Sequence, residues 1–156
     1  MFYKILILVL CYGLANCHLY IKYPPSRHSK YSVYYKKINE VNYNIMEPLY
    51  VTESKFIFPC KGFPIGPSTV KINSNIVNIE FEGFVHIYGI CQIGISVDNK
   101  EFIVLKTVLY CFKNSNMKLT LKLPYNFPNK KIIIFWTYIN AVGNREYYMD
   151  CSDVYI

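Results

Sequence analysis

Met117-Lys118-Leu119-Thr120-Leu121-Lys122-Leu123 alternates apolar and polar side chains with a period of two. Successive side chains of a strand point to opposite faces, so one face of this segment belongs to a core and the other to water. Upstream, Val77, Ile79 and Phe81 alternate with Asn78, Glu80 and Glu82 in the same way. His86 to Val97 and Phe102 to Phe112 form two β-rich runs around Asp98-Asn99-Lys100, which reads as a hairpin turn. Downstream, Lys131 to Asn140 (Lys-Ile-Ile-Ile-Phe-Trp-Thr-Tyr-Ile-Asn) is apolar on both alternating sets, as a strand buried on both faces would be. Short strands separated by turns, with no repeat, low-complexity linker or long helical period, predict an all-β antiparallel β-sandwich. The segment from His18 to about Phe58 is rich in Tyr and Pro with weak alternation, and is expected to be one strand followed by long loops.

The first seventeen residues read differently from the rest. Lys4 precedes the apolar run Ile5 to Leu10, and Leu14-Ala15-Asn16-Cys17 offers small residues before a cut, the pattern of a secretory signal. The run is far shorter than the roughly 20 residues needed to span a bilayer, so no membrane anchor is expected. Cleavage after Ala15 would leave Asn16 first and five cysteines. Cleavage after Cys17 would leave His18 first and Cys60, Cys91, Cys111 and Cys151, an even set suited to an oxidising compartment. The expected organisation is a signal peptide over 1–17 and a single domain over 18–156, secreted to the extracellular space or cell wall. Four cysteines allow three pairings. The proposed hairpin brings Cys91 towards Cys111, which leaves Cys60 for Cys151.

The formal charge is +7 and no Lys/Arg cluster stands out, so the balance speaks for solubility as readily as for an acidic partner. Nucleic-acid binding has only that charge in its favour and is not expected. There is no phosphate-cradling glycine loop and no zinc spacing of Cys and His, and paired thiols exclude a cysteine nucleophile.

Chemistry concentrates on histidine and on the C-terminal segment. A free α-amine has a pKa of about 7.7–8 against about 10.4 for lysine, so it surrenders its proton to a metal readily. The amine and ring Nδ1 of a terminal His18 would close one chelate, and a second imidazole opposite would complete a T of three nitrogens. Such a donor set favours Cu(II). The chain has two other histidines. His28 lies in Ser26-Arg27-His28-Ser29-Lys30 and reads as a solvated loop residue, whereas His86 stands at the start of an apolar strand. In Arg145-Glu146-Tyr147-Tyr148-Met149, strand alternation puts Glu146 and Tyr148 on one side, a carboxylate and a phenol able to flank a metal or to serve as a surface pair and a core ring.

Four segments carry a resemblance to a known family. They are His18-Leu-Tyr-Ile-Lys-Tyr-Pro24-Pro-Ser-Arg27, Phe58-Pro59-Cys60-Lys61-Gly62, Val85-His86 with Gly89-Ile-Cys91-Gln92-Ile93, and Trp136-Thr-Tyr-Ile-Asn140-Ala-Val-Gly143-Asn144-Arg145-Glu146-Tyr-Tyr148-Met149-Asp150-Cys151. In this order they span nearly all of 18–156, and the last is long and specific. The chain resembles the copper-dependent lytic polysaccharide monooxygenases of auxiliary activity family eleven, which attack chitin. The resemblance implies an immunoglobulin-like sandwich with long loops and one copper per chain. His18 and His86 become the ligands of a histidine brace, Tyr148 an axial tyrosine, and Glu146 an acid beside the open coordination position.

The partners implied are chitin or a related insoluble polysaccharide and an external electron donor, with the protein acting as a monomer. Tyr20, Tyr23, Tyr31, Tyr34 and Tyr35 are read as exposed rings for sugar stacking. The chain departs from the family pattern at Phe84, where a small residue is usual, and at Ile87 and Tyr88, where glycines are. The alternatives are a non-catalytic copper-binding protein and a wall-binding structural protein of the same fold.

Overall fold

The structure is a computed structural model that describes residues 18–49, 55–84, 88–112, 117–124, 129–142 and 145–156. The leader over 1–17 and His86 lie outside the described residues, as does the side chain of His18.

Among the described residues eight strands form two sheets. β1 (His18–Tyr23), β3 (Ile76–Phe84) and β6 (Lys118–Lys122) make a three-stranded antiparallel sheet in the order β1-β3-β6. β2 (Val70–Lys71), β4 (Gly89–Ser96), β5 (Ile103–Cys111), β7 (Lys131–Ile139) and β8 (Tyr147–Tyr155) make the second, in the order β2-β8-β7-β4-β5. The architecture is the expected β-sandwich with one exception: the two-residue β2 runs parallel to β8. Parallel pairing needs a crossover rather than a hairpin, and nothing in the local pattern of Val70-Lys71 announces it.

The alternation of β3 and β6 is the alternation of burial. Val77, Ile79, Phe81 and Leu121 face inward, joined by Leu19 and Ile21 of β1. They meet Cys91, Ile93, Ile132, Ile134, Trp136, Tyr138 and Tyr148 from the five-stranded sheet. That sheet is covered on its other face too: Ile133, Phe135, Met149 and Cys151 pack with Cys60 in a second apolar cluster. Two-sided cover is why β7 is apolar without alternation. The disulfides are Cys91–Cys111, between neighbouring strands, and Cys60–Cys151, which ties the turn at Cys60–Gly62 to β8. Ile156 closes the chain inside the core, its N–H donating to the Lys130 carbonyl.

The segment after β1 departs most from expectation. It contains a short helix, α1 (Val33–Lys37), whose N-terminal N–H of Tyr35 is capped by Ser32. Tyr20 and Tyr35 are buried rather than exposed, because a phenol brings enough apolar surface to join a core when its hydroxyl stays paired or wet. Tyr31 is half-buried and donates to Glu82, leaving Tyr23 and Tyr34 as the exposed rings of that set. His28 is half-buried: its ring lies 4.3 Å from both Tyr35 and Phe63, and its Nδ1, 2.8 Å from the Glu40 carbonyl, stays at the surface. Beside it, Arg27 is buried in a two-pronged ion pair with Asp153 (2.7 and 2.8 Å) and also donates to the Phe63 carbonyl and Asn99 Oδ1. One guanidinium thus joins the β1 loop, the 63–66 loop, the β4–β5 turn and β8.

Candidate metal centre and its surroundings

Register decides what meets at one end of the sandwich. In the antiparallel β1–β3 pair His18 stands opposite Phe84, the last residue of β3 and two positions before His86. The backbone that carries His18 and the backbone entering His86 are therefore neighbours. β1 also runs alongside β8 in the same direction. The Ile21 N–H donates to Asp150 (2.8 Å), and farther along Ser152 Oγ donates to the Pro24 carbonyl (2.7 Å). The first residues of β1 and of β8 thus share a pole with the end of β3, the start of β4 and the end of β7.

At that pole Tyr148 Oη donates to Glu146 Oε2 at 2.6 Å, and Asn140 Nδ2 donates to the same oxygen at 3.3 Å. A backbone bond from Asn140 N–H to the Glu146 carbonyl (3.4 Å) closes the β7–β8 turn around the carboxylate. Glu146 and Tyr148 are therefore brought together, as alternation expects. Tyr148 is fully buried and its ring packs 5.9 Å from that of Tyr138, which stacks on Trp136 at 5.8 Å. Gly89 makes room for this: a Cβ there would lie 2.0 Å from the Tyr138 ring.

Asn140, buried at 2 % exposure, is a site residue that the sequence reading passed over. The signal was a carboxamide ending an otherwise apolar buried strand. His28 is not part of this site. It sits beside Arg27 and Asp153, towards the other end of β8. Below the pole, burial pushes the Asp150 carboxyl up to about 6, against the pull of Lys61, whose Nζ is 3.7 Å away. Burial likewise pulls the Lys61 ammonium down from its ordinary value.

No model of a known protein family matches the chain. A curated relative, "AA11 family lytic polysaccharide monooxygenase A" of Aspergillus fumigatus (strain CBS 144.89 / FGSC A1163 / CEA10), is 30 % identical over 160 residues. The match covers 98 % of this chain and 71 % of the relative. Among solved structures, a glycoside hydrolase family 61 member, Cel61B from Hypocrea jecorina, aligns with a TM-score of 0.54 over 89 % of this chain and 78 % of its own, at 14 % identity. That second likeness is one of fold, and it agrees with the sandwich described above. The first spans nearly the whole chain and includes the pole where Glu146 and Tyr148 meet: this protein belongs to the AA11 family of lytic polysaccharide monooxygenases.

Proposed function

We propose that residues 18–156 form one secreted copper-binding domain that oxidises chitin or a chitin-like polysaccharide, in which His18, His86 and Tyr148 would hold the metal. The observation that carries this reading is the β1–β3 register. It sets the strand starting at His18 against the strand leading to His86, at the pole where a buried phenol is held by a carboxylate. The donor set fits copper: an amine and two imidazoles are nitrogen donors, and a phenol oxygen is a weak further one.

Copper held there would supply the one-electron chemistry that oxidises a C–H bond at the glycosidic linkage, with electrons from an external donor. The protein's part is positioning and proton control. Glu146 accepts the Tyr148 hydroxyl proton and so fixes where that proton points. Glu146 Oε2 is also the atom at which a proton can be held or handed on, and Asn140 fixes its orientation. No helix among the described residues is long and apolar enough to cross a membrane.

A second reading, copper binding without polysaccharide oxidation, draws on Phe84. It stands 78 % exposed opposite His18, where a ring can crowd the approach to the metal. One experiment separates the two. Secreted protein, confirmed by intact mass to begin at His18, is loaded with copper and incubated with chitin, a reductant and peroxide, with His86→Ala as control. Oxidised chito-oligosaccharides that vanish in the control support the monooxygenase. Copper retained by the wild type and lost by the variant, with no oxidised products from chitin or other glycans, supports the second reading.

A further inference from the structure

The residues that meet at the pole come from two different sheets. His18 and the strand leading to His86 belong to the three-stranded sheet, where the β1–β3 register sets one against the other. Tyr148 belongs to the five-stranded sheet. Among the described residues no ladder pairs β1 with β8, so another contact must fix where His18 stands relative to Tyr148. That contact is Asp150, two residues after Tyr148 and on the same side of β8. Its Oδ2 accepts the Ile21 N–H at 2.8 Å. The two strands run in the same direction, so three residues back along each bring His18 beside Tyr147. Farther on, Ser152 bonds the Pro24 carbonyl and Arg27 N–H bonds the Cys151 carbonyl. Among these ties the one from Asp150 lies nearest His18.

Lys61 holds the same carboxylate by its other oxygen. Both side chains are buried, and Lys61 Nζ is 3.7 Å from Asp150 Oδ1. The ammonium also donates to the Glu47 carbonyl at 2.6 Å and lies 5.1 Å from the centre of the Phe56 ring. The ion pair has a covalent neighbour: Cys60, one residue before Lys61, is bonded to Cys151, one residue after Asp150. Cys60 and Lys61 both adopt left-handed backbone (φ 54° and 61°), which residues with a Cβ disfavour. That conformation presents a sulfur and an ammonium to successive residues of β8.

Stability alone does not account for this arrangement. Desolvation of two buried charges offsets their attraction, so well-packed apolar side chains would serve the core as well. What the pair adds is direction. With one oxygen held by an ammonium, the other is fixed in place, and its bond to a backbone N–H is shorter and stronger than a neutral one. We infer that Lys61 and Asp150 are positioning residues, a clamp between the two sheets that sets the His18 backbone nitrogen relative to Tyr148. The effect on a metal rests on the copper-binding reading above; the clamp itself does not.

The test compares two charge-free replacements in secreted protein that begins at His18. Lys61→Met with Asp150→Asn keeps an acceptor for the Ile21 N–H, whereas Lys61→Met with Asp150→Leu removes it and still fills the space. Both pairs are expected to fold, since neither leaves a buried charge alone. In copper-free protein the Ile21 amide is expected to exchange about tenfold faster in the second pair than in the first. The second pair is also expected to bind Cu(II) about tenfold more weakly and with a changed electron paramagnetic resonance spectrum, while the first stays close to the wild type. Asp153→Ala breaks another buried pair on β8 and is expected to lower the melting temperature without moving that spectrum, which separates positioning from lost stability. The inference is overturned if the two pairs protect the Ile21 amide and hold copper alike, or if Asp153→Ala changes the spectrum as much as the second pair does. A wild type that binds no copper would defeat the proposed centre, and exchange of the Ile21 amide would still decide the clamp.

Discussion

Tyr148 donates its hydroxyl proton to Glu146 at 2.6 Å, although the phenol ring is wholly buried and the carboxylate lies two residues before it at the mouth of the same strand. A hydrogen bond to a charged acceptor is worth about 1.5–3 kcal/mol. Tyr148→Phe is therefore expected to lower stability by about that amount in denaturant melts while keeping the fold. Glu146→Gln keeps an acceptor and should cost less, yet lower oxidation of chitin by about 100-fold if Glu146 manages a proton. Copper-loaded electron paramagnetic resonance should change in Tyr148→Phe; an unchanged spectrum would remove the phenol from the metal's surroundings.

Asp153 offers a test of the distant end of β8. Its carboxylate is met by two Arg27 nitrogens and by the Gly66 N–H, with both charged side chains buried. Removing one partner of such a pair strands the other, at about 3–5 kcal/mol. Asp153→Ala is expected to lose that much in urea unfolding, far more than a surface Glu80→Ala that breaks the exposed pair with Lys118.

The pH dependence of Asp150 has a definite sign. Its folded value of about 6 lies above its ordinary 3.8, because burial opposes the charge more than Lys61 favours it. The folded state therefore holds the extra proton, and this contribution is fully present below about pH 4 and lost as pH rises through about 6. Two units correspond to about 3 kcal/mol. The stability difference between wild type and Asp150→Asn, measured from pH 4 to 7, should move against the wild type by up to that amount; a flat difference would contradict the burial argument.

The disulfides should differ in worth. Cys60 and Cys151 are separated by 91 positions and Cys91 and Cys111 by 20. On chain entropy alone the first constrains the unfolded state by about 4.5 kcal/mol and the second by about 3. Paired serine variants, compared by thermal melting under oxidising conditions, are expected to rank in that order.

Gly89→Ala is expected to destabilise by about 1–3 kcal/mol, since the new methyl would meet the Tyr138 ring at 2.0 Å and the Ile139 carbonyl at 2.4 Å. Because Tyr138 packs on Tyr148, the same change should weaken copper binding, measured by titration, without altering either disulfide.

The strands were legible wherever one periodicity ruled. β3 and β6 announce themselves because each has one wet face. β7 does so because both of its faces are dry, and a strand in that position has no reason to alternate. The pairing of Glu146 with Tyr148 was legible for the same reason, as two residues apart on a strand share a side. Tyr20 and Tyr35 depart from expectation because a phenol is amphipathic: composition says it tolerates water, and only packing says whether it receives it. Arg27 shows the same limit, since a guanidinium in a polar loop looks solvated until Asp153, 126 positions away, is brought against it.

The sequence by itself determined the strand pattern, the set of four cysteines, the histidine count and the family resemblance, all of which are local or cumulative along the chain. Tertiary structure alone decided that β2 lies parallel to β8, that β1 travels beside β8, and that Asn140 meets the Glu146 carboxylate. The reason is physical. Register and sheet order are set by which faces must be buried together, and that balance is struck between residues far apart in sequence, where no local period records it.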